Sequence, residues 1–226
     1  MPKVETREYR IMPAMAAVKR AEGDPGTAAA EEAAEKSYKV RGYATTFNDP
    51  YVLYEGSNGE QIFEVIDGHA FDDADMSDVI MQYDHSGMVY ARTRNGSLNI
   101  GTDEHGLWIE ADLSLTEESR KLYDAIDKGL IDRMSFCFTI AADDWDSRTN
   151  TSTVLKIAKL YDVSAVSIPA NPGTDISAER KKRMDGAIQE ARAERLAEEA
   201  RKRKIKILRT RARAVRAMGA AGKENK

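Results

Sequence analysis

Cysteine is nearly absent from this 226-residue sequence: Cys137 stands alone, so no intrachain disulfide forms and no cysteine-based zinc site can be built. Histidine is scarce too, with only His69, His85 and His105, and no His-Glu-x-x-His pair. Asp72, Asp73 and Asp75 lack the loop spacing of a calcium site, and no glycine-rich phosphate loop is present. The expectation is a protein with no metal and no cofactor. No apolar run approaches the roughly 18 residues of a membrane span. The charged opening, MPKVETREYR, has no apolar stretch behind it, which argues against a signal peptide. These absences point to a soluble protein of a reducing cytoplasm.

What is abundant is charge, at 32% of residues, more than a compact domain needs. Residues 181–226 hold 16 of the 34 Lys+Arg but only 6 of the 38 Asp+Glu, whereas the chain as a whole is at −4. An acidic body therefore carries a basic tail, and such a tail docks on something acidic. From about Ala178 to Arg216 there is no proline and one glycine, Gly186, so propensity favours helix. Its apolar stripe is poor: Leu196, Ala200, Leu208, Ala212 and Val215 are interrupted by Lys204. The tail reads as a long basic helix or a flexible segment. It has no aromatic residue on which bases could stack, which disfavours nucleic acid as the main partner.

The expected organisation is an N-terminal strand and flexible insertion (1–37), a folded domain (38–177) and the basic tail (178–226). Residues 4–12 can form a strand. Residues 18–37 surround Asp24-Pro25-Gly26 and read as a linker, with a short helix over 27–34 as the alternative. Alternating aromatic and β-branched residues predict strands over YKVRGYATTF, with Gly42 marking a bulge or a close backbone approach, and over 61–66 and 79–85. LNIGT and LWIEADLS flank a hairpin turn in which Gly106 supplies a special conformation. One helix follows, capped by Thr116, with Leu122, Ile126 and Leu130 as its buried stripe and Gly129 at its end. MSFCFTIAA and VLKIAKLYDVSAVSIP are strands separated by the polar turn DDWDSRTNTS, with Pro169 and Pro172 stopping the second. Many strands, one inserted helix and no βαβ rhythm give an α+β class with a mostly antiparallel sheet or barrel.

Among reactive side chains, His85 sits where a strand ends and a loop begins, a place where a scaffold holds a side chain at a cleft. His69 and His105 read as surface turn residues. Ser135 lies on an aromatic-rich strand outside any Gly-x-Ser-x-Gly elbow. Its plain reading is a hydroxyl bonded to backbone. Asp162 precedes the apolar VSAVSIP, where an unpaired carboxylate is costly and a histidine partner would offset that cost. Spacing alone does not make these three a triad.

The blocks RGYATTFNDPY, DGHAFDD, the strand ending in DHS, DEHGLWIEADL, GLIDRMSFCF and LYDVSAVSIPANPGTDIS resemble the tailed-phage prohead maturation proteases, over about residues 38–177. The resemblance implies a serine endopeptidase that cleaves capsid and scaffold proteins, and itself, inside the assembling prohead in the host cytoplasm. It implies a fold like that of herpesvirus assembly proteases, a mostly antiparallel β-barrel with surrounding helices. The implied roles are His85 as base, Ser135 as nucleophile and Asp162 as third member, with major capsid protein, scaffold protein or a scaffold domain, and further copies of itself as partners. Three positions depart from the family pattern. Asp162 is often Glu, Cys137 is commonly Gly, and Asp84 is commonly Asn. A carboxylate beside the base would favour the protonated imidazole. The oxyanion donors are left open between backbone N–H groups and Arg133. The competing expectation is a non-catalytic assembly or scaffold protein built on a protease-like fold.

Overall fold

The computed structural model describes residues 7–13, 15–17, 37–56, 59–167 and 178–221. In chain order the strands are β1 (Glu8–Pro13), β2 (Met15–Ala17), β3 (Lys39–Thr46), β4 (Tyr51–Glu55), β5 (Gln61–Ile66), β6 (Ile80–Tyr83), β7 (Ser86–Arg92), β8 (Leu98–Thr102), β9 (Gly106–Asp112), β10 (Arg133–Asp146) and β11 (Thr151–Val166). Helix α1 (Glu117–Asp127) precedes β10 and helix α2 (Ala178–Ala221) follows β11. The linker expected over 18–37, apart from residue 37, the alternative short helix over 27–34, and the prolines at 169 and 172 lie outside the described residues.

The β10–β11 hairpin organises the body. Its two strands are 14 and 16 residues long. Both run past the expected boundaries: the polar segment from Asp143 to Asp146 is still strand, and the turn is confined to 147–150. β11 is long enough to take two neighbours on its other edge. Its first residues pair in parallel with β5 and its last with β6. β1 lies along β10, β4 along β5, and β7 folds back on β6, giving a seven-stranded mixed sheet. A second sheet runs β2-β3-β9-β8. β4 and β7 were not foreseen in the sequence, since neither shows a clear alternation.

The expected barrel does not form. The larger sheet runs from an edge at β1 to an edge at β4, the smaller from β2 to β8, and neither closes on itself. Closure needs each strand to find both neighbours at one consistent stagger. Here β11 divides one edge between β5 and β6, and its ladder with β10 is broken between Cys137 and Phe138 and repeatedly from Thr139 to Asp143. Such irregularities bend the strands and end regular pairing.

The core is built from the inward alternation of these strands: Leu107, Ile109 and Ala111 of β9, Met134, Phe136 and Phe138 of β10, and Val163 and Ala165 of β11. Phe136 and Phe138 stack with centroids 4.7 Å apart. The bulge expected at Gly42 falls between Tyr43 and Thr45 instead. Gly106 is needed for space, not for a turn conformation: a Cβ there would lie 2.0 Å from the Thr45 carbonyl oxygen. In α1, Thr116 Oγ1 accepts from Ser119 N at 3.0 Å as N-cap. The helix buries Ser119, Leu122, Tyr123 and Ile126. Leu130, expected in that stripe, is 74% exposed, because the helix ends before Gly129 (φ +69°) and the stripe ends with it.

A buried charge cluster joins distant parts of the body. Arg10 on β1 is fully buried and donates to Glu64 on β5 through Nε, to the same carboxylate through a second nitrogen at 3.0 Å, and to Glu8 at 2.6 Å. Arg180 reaches Glu64 at 2.7 Å, Glu8 at 3.2 Å, Asp143 at 3.3 Å and Ser152 Oγ at 2.9 Å. Tyr51 also donates to Glu64. Burial alone would raise the Glu64 carboxyl, but the two guanidiniums outweigh it and hold it at about 2.

The chain divides into two compact units, Met1–Arg180 and Lys181–Lys226. The second consists, where described, of helix α2. At about 1.5 Å per residue, the 44 residues of α2 make a rod of about 65 Å. Its large apolar side chains Leu196, Ile205, Ile207 and Leu208 are exposed. No helix among the described residues is long and apolar enough to cross a membrane.

Candidate active site

Three adjacent strands, β10, β11 and β6, bring His85, Ser135 and Asp162 together. On the β10 side, Ser135 is opposite Ser164 and Cys137 is opposite Asp162. On the β6 side, Asp162 is opposite Ile80 and Ala165 is opposite Tyr83. β6 therefore ends level with the site and delivers the next two residues, Asp84 and His85, beside it.

Those two residues form the turn of the β6–β7 hairpin, with Tyr83 paired to Ser86. Asp84 and His85 have φ of +47° and +52°, the left-handed pair that a two-residue hairpin turn matched to strand twist requires. Asp tolerates this region, while for His it costs about 1 kcal/mol. The turn is fastened to β11 on several bonds. Asp84 N donates to the Ala165 carbonyl at 2.9 Å. The Asp84 carboxylate accepts from Ser167 N and Ser167 Oγ, both at 2.9 Å. This accounts for the acid beside the histidine: its carboxylate is occupied by Ser167, and an Asn would suit the same backbone.

The imidazole of His85 bridges the other two side chains. Nδ1 lies 2.6 Å from Asp162 Oδ1 and Nε2 lies 2.5 Å from Ser135 Oγ. Ser164 Oγ donates to the same Asp162 oxygen at 2.7 Å. Ser135 is buried, Asp162 nearly so, and the His85 side chain is 18% exposed. Ser164 was missed in the sequence, although it stands two residues beyond Asp162 and so shares its face of the strand.

The other histidines stand apart. His69 is exposed and pairs with Asp72 at 3.0 Å. His105 lies at the β8–β9 turn with its ring edge-on to Tyr43, 4.4 Å between centroids. Arg133 opens β10, with its guanidinium 3.8 Å from Asp132. Among the described residues no three His, Cys, Asp or Glu side chains are grouped as metal ligands.

A hydroxyl, an imidazole and a carboxylate in hydrogen-bonded series is the arrangement with which serine hydrolases activate an alcohol. The chain matches the model of the caudovirus prohead serine proteases over residues 27–187 and belongs to that family, so it is a peptidase of prohead maturation. The match takes in His85, Ser135 and Asp162 and leaves β1 and β2 outside it. No curated protein and no solved structure matches the chain.

Proposed function

We propose that the chain is a serine endopeptidase that cleaves capsid and scaffold proteins, and itself, within the assembling prohead in the host cytoplasm, with Ser135 as nucleophile, His85 as general base and Asp162 as the residue that orients it. The observation that supports this reading is the His85 ring, within hydrogen-bond distance of Ser135 Oγ on one side and Asp162 on the other. Ser135 Oγ attacks the scissile carbonyl as Nε2 takes its proton, giving a tetrahedral intermediate. The same nitrogen then protonates the leaving amine. Water repeats the cycle on the acyl-enzyme. Asp162 holds Nδ1 as the protonated nitrogen and stabilises the imidazolium.

The buried position of Ser135 favours a second reading, an assembly protein that does no chemistry, because a substrate carbonyl reaches the serine only after its surroundings open. One comparison separates the two. The chain is co-expressed with its capsid and scaffold proteins, as wild type and as Ser135→Ala, and all products are weighed intact. Shortened capsid, scaffold or protease in the wild type alone is the expected result and gives the cleavage sites. Equal masses in both, with the variant folded, would establish the assembly reading.

The basic tail has a separate expected role, docking on acidic segments of scaffold or capsid. A truncation to test it must end beyond Arg180, which is part of the buried charge cluster. A chain ending at residue 186 is expected to cleave a peptide at the wild-type rate yet be packaged into proheads several-fold less. Its copy number per purified prohead, read by immunoblot, decides the matter, and undiminished packaging would exclude the role.

A further inference from the structure

A buried carboxylate needs donors for the lone pairs that water no longer reaches. Asp162 is only 6% exposed, and more than His85 serves it. Ser164, itself fully buried, donates its hydroxyl to Oδ1 at 2.7 Å. Cys137 lies directly across the ladder from Asp162, which puts its thiol beside the carboxylate on one face of the sheet, and the carboxylate's charge helps keep that thiol protonated. Tyr9 lies directly across the next ladder from Cys137, so the two side chains share one face of the sheet. The Tyr9 ring also meets the His85 imidazole edge-on, with centroids 4.7 Å apart and planes at 75°. A row of Tyr9, Cys137 and Asp162 thus crosses three strands, and it turns back to touch the far side of the histidine.

The chemistry of this row has one direction. Burial pushes the Cys137 thiol up to about 12. Its neighbour Cys137, and then burial, push the Tyr9 hydroxyl up to about 12. Both groups stay protonated over the range in which a histidine titrates, so each is available as a donor, the thiol toward the carboxylate and the tyrosine toward the sulfur. One nearby charge works against these shifts: Arg7 pulls both the Tyr9 hydroxyl and the Cys137 thiol down, without offsetting the rise. Arg7 lies over the Tyr161 ring at 4.0 Å, as does Lys159 at 5.7 Å, and Asp84 is held by Ser167.

We propose that Ser164, Cys137 and Tyr9 are positioning residues of the peptidase, acting on His85 through Asp162 by fixing the carboxylate and sharing its charge. The proposal rests on the catalytic reading of His85 and Asp162 given above. It gives the N-terminal strand a part in the site, although that strand lies outside the family match. Donors to a carboxylate spread its charge, so removing one concentrates that charge on the imidazolium and raises the His85 midpoint.

The test is an NMR titration of the histidine rings in the full chain, with His85 assigned by its loss in His85→Ala. Ser164→Ala is expected to raise the His85 midpoint by roughly half a unit to one unit. Cys137→Ala should raise it less, since a thiol is the weaker donor, and Tyr9→Phe less again, its hydroxyl being one bond further away. Ser164→Thr restores the hydroxyl and should return the midpoint toward the wild-type value. His69 and His105 serve as controls that do not move. For a peptide spanning a mapped cleavage site, kcat should fall about tenfold in Ser164→Ala at unchanged KM. A His85 midpoint unmoved in folded Ser164→Ala and Cys137→Ala would overturn the proposal and leave these side chains as packing. A shifted midpoint in a chain whose wild type cleaves nothing would support the coupling and overturn the peptidase reading alone.

Discussion

His85→Ala and Ser135→Ala are each expected to lower the rate of peptide cleavage by about 10⁶-fold, and the double variant by no more than either alone. The reason is the single bond between them. Ser135 Oγ and His85 Nε2 are 2.5 Å apart, so in the proposed mechanism the serine is a useful nucleophile only while the imidazole takes its proton, and the imidazole has no second task if the hydroxyl is gone. Losses of residues that act as one unit do not multiply. Asp162→Asn should fall short of this, at about 10⁴-fold, because the amide still occupies the place beside Nδ1 while favouring the wrong tautomer. Single-turnover rates of the purified variants on a peptide substrate read all four numbers. A double variant slower than the product of nothing more than one loss, by several orders of magnitude, would mean that serine and histidine contribute independently and would sink the relay.

Glu64→Ala is expected to destabilise the body by about 3–5 kcal/mol, the cost of leaving two buried guanidiniums to share Glu8 as their remaining common carboxylate. Two guanidiniums share this carboxylate, and one of them, Arg10, has no solvent to fall back on. At this chain length the loss corresponds to a drop in melting temperature of roughly 10 °C or more. The same carboxylate sets an acid limit. Its folded value of about 2 lies below its ordinary 4.5, so its contribution is fully present above about 4.5 and is lost as the pH falls toward 2. A Glu64→Gln variant should start less stable at neutral pH and lose less between those limits. Urea melts of both proteins from pH 7 to pH 3 give the comparison. Parallel curves would show that Glu64 is not the group that titrates.

Much of the strand pattern could be read from the chain, because β5 and β9 alternate in the ordinary way, β3 is rich in aromatic and β-branched residues, and Thr116 announces α1. The trio of His85, Ser135 and Asp162 could not be read from spacing at all, and it came from resemblance. What brings it together is a left-handed turn at Asp84–His85 and a long strand serving two neighbours, and neither has a local signature. The buried charges were hidden for a related reason. In QIFEVI the alternation puts Glu64 on the same face as Ile62 and Ile66, which marks the position as inward, yet nothing nearby in the sequence names the arginine that meets it. Arg180 looked like any other residue of the basic tail. The open sheets, in place of a barrel, depend on where β11 changes partner, a property of the pairing and not of one segment.

The charge cluster also bears on how proteins of this kind could exchange parts. Arg180 is the first described side chain after residue 167, and it is already committed to Glu64 and Glu8. A recombination event that swapped tails at residue 177 would import a stranger's residue into that position and leave an odd carboxylate behind. An exchange made beyond Met184, which is buried as well, would keep both residues, so the seam along which tails can be traded lies inside the helix, past its second turn.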